Sequence, residues 1–218
     1  MPVRITMSTV IAYTDLCNHT KLSELLNRFT PTKEIPCAYF FDDRDSPVRL
    51  NGQLPDGINP KPFPGNVTVC IVEPPINKYA SAKIRKAKIY RNGKIHFAGG
   101  LHPVDAEIIL RSIADTIQAK VRLVEIIMVN GVGHCGMPCD LGDLSKKVKW
   151  ESMYNPDLHS ALRVRIPNEG GKKMTTVLIQ PTGAIQVMGA DSVETVKNCY
   201  NDVIDVVSNN DYVNEGSD

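Results

Sequence analysis

The sequence predicts an α+β chain built from two copies of one unit, joined in a single curved antiparallel sheet with pseudo-two-fold symmetry and helices on one face only. Three observations carry this. A strand, glycine turn, strand pattern over Ile89 to Gly100 recurs over Ile179 to Ala190, at an offset of 90 residues. Each hairpin is followed by apolar residues at helical spacing: Ala106, Ile109, Leu110, Ile113 and Ile117, then Val193, Val196, Tyr200, Val203, Ile204 and Val207. Each is preceded by a short helical segment, Leu22 to Phe29 and Leu141 to Val148, at an offset of 119.

Taken in order, the first half opens with an apolar strand, Ile5 to Ala12, and the second with Val124 to Val129. The short helices follow, then strands, then the glycine hairpins. The two offsets differ by 29 (119 less 90), so the first half carries about that many extra residues before its hairpin. They fall near Ala38 to Pro62, a segment rich in Asp, Pro, Gly and Asn that reads as an exposed loop. Asp191-Ser192 is placed to cap the last helix. The expected organisation is a first repeat over 1–120 with that insertion, a second over 121–208, and a polar, acidic, unstructured tail over 209–218.

Composition narrows the function. The chain has 218 residues, 42 % apolar, with a net charge of +1, so no global electrostatic field draws it to nucleic acid or membrane. Any positive charge must be local, and Lys78, Lys83, Arg85, Lys86, Lys88, Arg91 and Lys94 supply it in a stretch with no acidic residue. Such a run fits a phosphate-contacting edge, or a lysine-protected strand edge. No apolar run is long enough to span a bilayer and no signal-peptide pattern opens the chain, which points to the cytosol or nucleus. The cysteines contain no CxxC pair; His134, Cys135 and Cys139 lack a fourth zinc ligand and read as a strand-end turn. Clustered carboxylates, a nucleophile elbow and a phosphate loop are all missing from the sequence, so neither catalysis nor a cofactor is expected.

The order of elements resembles the conserved core of the TATA-box-binding proteins. Met7-Ser8-Thr9-Val10 is similar to the family's first strand, Phe63-Pro64-Gly65 to its F-P-G, and Tyr154-Asn155-Pro156-Asp157-Leu158 to its Y-x-P-E-L. The two hairpins resemble its S-G-K hairpins. The resemblance implies a saddle whose helices cover the convex face. Its concave sheet would widen a minor groove and kink the duplex with apolar wedges. It also implies a non-enzymatic, monomeric initiation factor for double-stranded promoter DNA, working with a factor-IIB-like protein and RNA polymerase machinery. The departures below resemble divergent versions encoded by large DNA viruses, for which the site of action would be the nucleus or a cytoplasmic viral factory.

Strand alternation assigns faces. Ala87, Ile89, Ile95 and Phe97 should face the helices, leaving Lys86, Lys88, Tyr90, His96 and Ala98 open, with Lys94 at the turn. In the second half Val177, Ile179, Ile185 and Val187 go inward, leaving Leu178, Gln180, Gln186 and Met188 open beside Arg163 and Arg165. The family's wedges map to Phe63 and Tyr90, then to His159 and Gln180; the second pair are poor wedges, so an asymmetric clamp is expected. The family's groove-floor asparagines map to Ile5 and Ile127, flanked by Met7 and Val129, with Asn130 on the opposite face unless the register shifts. An apolar floor lacks donors for A·T acceptors, which implies relaxed or altered TATA preference. The family's accessory-factor loops match Glu73 and the segment carrying Glu169 and Gly170. Two other classes remain: a protein-interaction platform of the same fold with weak or no DNA binding, and an enzyme accessory domain.

Overall fold

The computed structural model describes residues 2–16, 20–73, 82–99, 102–169, 171 and 173–211. The chain divides into two compact units. One holds Thr9–Gly99 and Pro103–Glu125; the other holds Met1–Ser8, Gly100–His102 and Ile126–Asp218. We call them the N-terminal and C-terminal units. Strands β1 (Arg4–Thr14) and β7 (Val121–His134) each contribute residues to both.

The N-terminal unit contains α1 (Leu22–Arg28), β2 (Cys37–Phe40), β3 (Arg49–Gly52), β4 (Asn66–Glu73), β5 (Lys83–Tyr90), β6 (Lys94–Gly99) and α2 (Pro103–Thr116). Its strands lie in the order β3-β2-β4-β5-β6-β1. The C-terminal unit contains α3 (Leu141–Lys147), β8 (Glu151–Met153), β9 (Leu162–Pro167), β10 (Met174–Ile179), β11 (Ala184–Ala190) and α4 (Val193–Asp211), with strands in the order β7-β11-β10-β9-β8. The hairpin ladders β5–β6 and β10–β11 are antiparallel, as are β4–β5 and β9–β10 beside them. Both units thus run strand, short helix, antiparallel strands, long helix, and the fold class is α+β.

Each hairpin turns on a glycine with positive φ, +76° at Gly93 and +90° at Gly183. A side chain is also excluded there by space: a Cβ on Gly183 would lie 2.0 Å from the Met137 carbonyl oxygen. The expected inward residues are core. Ala87, Ile89, Ile95 and Phe97 are fully buried, as are Val177, Ile179, Ile185 and Val187. Leu110 and Ile113 of α2 join the first set, and Val196, Tyr200 and Val203 of α4 pack with the second. Pro103 opens α2 where its missing N–H costs nothing. Ser192 caps α4 as expected, its Oγ accepting from Thr195 N at 3.0 Å.

Three expectations need correction. The helix α4 continues through Asp211, so the tail begins later than residue 209, and 212–218 lie outside the described residues. The insertion is no simple exposed loop: Ala38 to Phe40 is a buried strand, and β3 pairs with it residue for residue. Asn51 of β3 donates from Nδ2 to the carbonyls of Leu26 and Phe29, both at 2.8 Å, and so satisfies the end of α1. Lastly, the register of β1 and β7 differs by one residue from the sequence alignment. Thr14 N bonds Gly93 O, and Cys135 N makes the same bond to Gly183 O. The structural offset is therefore 121 (14 to 135), whereas pairing Ile5 with Ile127 requires 122. A one-residue slip exchanges the faces of a strand.

Candidate nucleic-acid interface

Direct cross-strand partners share a sheet face, so the ladders sort the site residues. In the N-terminal unit Lys88 pairs with His96 on one side and Thr68 on the other, and Thr68 pairs with Tyr39. This face lies opposite Ala87, Ile89 and Phe97, the residues packed under the helices. Lys86, Tyr90 and Ala98 alternate with the same buried residues, as strand alternation predicted, and Lys94 shares their side of the sheet. Phe63 joins them from the loop before β4. It is 53 % exposed, Lys88 Nζ lies 3.5 Å from its ring centroid, and Asn66 Nδ2 donates to its carbonyl at 3.2 Å. His96 is held below the ordinary histidine range by burial, with Lys88 adding to the effect, so its ring stays neutral near pH 7.

Charge is distributed less evenly than the basic run implies. Arg85 forms an ion pair with Glu73, both side chains largely buried. Neither is then a free contact: Arg85 is committed away from phosphate, and Glu73 is no exposed docking group. Lys94 Nζ lies 5.0 Å over the Tyr13 ring, while Tyr13 donates to Glu125 at 2.8 Å and has its hydroxyl pKa raised by that bond. Lys78 lies outside the described residues, as does Gly170 of the second loop; Glu169 is exposed.

In the C-terminal unit the corresponding row is Val132, Gln186, Leu178, Arg163 and Met153. Met188, Thr176 and Arg165 form the next, with Arg165 paired to Glu151 at 3.3 Å. The face carries a trough of about 530 Å³ lined by Met128, Met153, Leu158, His159, Arg163, Met174, Leu178 and Met188 among others. His159 is exposed, and its Nδ1 accepts from Ala161 N at 3.0 Å. Gln180 accepts a 3.5 Å hydrogen bond from Ser160 Oγ through Oε1.

The register slip decides the floor. Val129 is fully buried in the core with Val196 and Val203, so it is not a groove residue, and Ile127 shares its parity. Met128, Asn130 and Val132 hold the open face instead. Ile5 and Met7 are both half-buried, and Ile5 packs in part against the same core. Asn130 accepts from Gly189 N through Oδ1 at 2.9 Å, which leaves its amide N–H groups as the outward end. Leu158 is a residue that sequence reasoning missed. It is 83 % exposed beside His159, and its place next to the mapped wedge was the available signal.

The His134 to Cys139 turn holds no metal arrangement. Cys135 and Cys139 sulfurs are 3.5 Å apart, but His134 Nδ1 accepts from Gly136 N, and no group of three metal-ligating residues occurs among the described residues.

Comparison with known proteins agrees with this architecture. Residues 125–210 match the family model described as transcription factor TFIID, or TATA-binding protein. The fold is similar to that of Methanococcus jannaschii TBP, with a TM-score of 0.62 and 16 % identity over 96 % of this chain and 99 % of that one. No curated protein matches the sequence. The fold is TBP-like, and the match to the family model falls on residues 125–210.

Proposed function

We propose that this chain is a TATA-binding-protein-like initiation factor that binds promoter duplex through the minor groove with its helix-free sheet faces and bends it. The observation that carries the reading is the N-terminal face, where Lys88 Nζ lies over the ring of an exposed Phe63 and Lys86 and Lys94 share the same side of the sheet. Cations beside a protruding apolar ring are what a wedge between base steps needs: phosphate neutralisation next to an unstacked step. Asn130 adds a donor that can meet minor-groove acceptors, while Met128, Leu178 and Met188 follow groove shape. A floor with few donors favours altered or relaxed TATA selectivity. An exposed Glu169 suits contact with a factor-IIB-like partner.

The test is an electrophoretic shift and FRET bending assay on a randomised duplex pool at low and moderate salt. Salt-sensitive binding with bending, weakened by Phe63→Ala and by Lys86→Ala/Lys88→Ala, is expected. A second reading, the protein-interaction platform, is favoured by the methionine-lined trough, since methionine surfaces adapt to partner side chains. Absence of duplex binding at low salt by a folded protein would select it.

A further inference from the structure

The insertion lies on the face proposed for DNA. Tyr39 pairs with Thr68, which pairs with Lys88, so these three side chains share the open face. Cys37 and Cys70 are direct partners on that same face. Yet Cys37, Tyr39 and Cys70 are almost wholly buried. Leu54 and Ile58 cover them, packed on the small cluster that these residues form with Phe41. Between the two anchors the chain turns at Pro55 to Ile58, closed by Ile58 N on the Pro55 carbonyl at 3.2 Å. It then runs on to Phe63.

The other unit shows the same sheet without this cover. Lys88 and Leu178 are equivalent by the 90-residue hairpin offset, so Met153, two partners out from Leu178, corresponds to Tyr39. Met153 is 65 % exposed and Tyr39 is 3 % exposed. One unit therefore offers its outer strands to a ligand and the other does not.

We propose that the segment 53–62 is a built-in stop. It closes the outer strands β2 and β4 to duplex, ends the DNA footprint at Phe63, and makes the two half-sites unequal. Leu54 and Ile58 are its positioning residues. The proposal rests on the DNA-binding reading, and its test separates the two.

The experiment compares wild type with Leu54→Ser/Ile58→Ser in the full chain. Mass spectrometry follows alkylation of Cys37 and Cys70, and hydroxyl-radical footprinting uses the best duplex recovered from a randomised pool. The expected result is alkylation at least about tenfold faster in the variant, the change that about 1.4 kcal/mol of weakened cover produces, with a footprint lengthened at one end only. Faster alkylation with an unchanged footprint would overturn the stop while leaving DNA binding intact. Alkylation as slow as in wild type would show that Leu54 and Ile58 do not hold the segment, and the proposal would fall. Wild type that binds no duplex would remove the DNA reading and the stop with it.

Discussion

Lys88 holds the ring of Phe63, its Nζ 3.5 Å from the ring centroid, so a cation and an exposed apolar wedge act from one spot on the sheet. Removing either has a separable effect. Phe63→Ala should lower bending and weaken binding by about 1–3 kcal/mol, the scale of stacking between a base and an aromatic ring. Lys88→Met keeps the stem over the ring but removes the charge. It should reduce the slope of log K against log salt by about 0.9, the share of a single neutralised phosphate. Paired FRET and salt titrations distinguish the two; an equal fall in slope for both variants would contradict the division of labour.

The basic run should also split in two. Lys86 is exposed on the open face, whereas Arg85 is committed to Glu73. Lys86→Ala should weaken binding about equally for all sequences and flatten the salt dependence, and Arg85→Ala should leave the salt slope alone while lowering stability. A salt slope that falls as much for Arg85→Ala as for Lys86→Ala would mean that Arg85 reaches phosphate.

The corrected register makes neighbouring residues behave oppositely. Val129→Ala empties a fully buried position and should cost about 1.5–3 kcal/mol of stability with no change in the preferred duplex. Asn130→Ala should alter the sequences recovered from a randomised pool, and its effect on stability should be the smaller of the two. Denaturant titration and pool selection on both variants check this. The alignment with Ile127 on the floor would be restored if Val129→Ala changed selectivity and Asn130→Ala did not.

Where the sequence was legible, two signals agreed. Around Lys86, Ala87, Lys88 and Ile89, charged and apolar residues alternate, so period and face were readable at once, and the glycine turns fixed the repeat. In β7 the run Ile126, Ile127, Met128 and Val129 is apolar on both faces, which erases the period-2 signal and leaves the register open by one residue. Only the backbone bonds at Gly93 and Gly183 settle it. The insertion was opaque for another reason. Its Asp, Pro and Gly content is that of a loop, and nothing local says that Leu54 and Ile58 find a distant partner in Cys37, Tyr39 and Cys70.

Acid should loosen the C-terminal unit through Asp191. Its carboxylate accepts from Thr195 Oγ1 at 2.7 Å and Asn168 Nδ2 at 2.8 Å, and these bonds hold its pKa below the ordinary aspartate value. A depressed carboxylate contributes stability that is present above the ordinary value and is lost as pH falls through the folded one. Urea midpoints measured downward from about pH 5 should therefore decline with an Asp191 component. Asp191→Asn should start lower at neutral pH and show a shallower acid decline. An identical decline in both proteins would assign the acid sensitivity to other groups.

The second unit's kink should depend on Leu158 more than on His159. His159 is polar, and its Nδ1 is engaged by Ala161 N, so inserting it between base pairs would cost both that bond and its hydration. Leu158 is 83 % exposed, apolar, and lines the same trough. Unstacking a step costs a few kcal/mol, which a leucine offsets only in part compared with an aromatic ring. The expected bend is thus unequal, strong at Phe63 and shallow at Leu158. Leu158→Ser should remove the shallow kink and leave the strong one, and His159→Phe should deepen it. FRET pairs placed on either side of each half-site read the two kinks separately. A kink unaffected by Leu158→Ser would show that this leucine does not enter the groove.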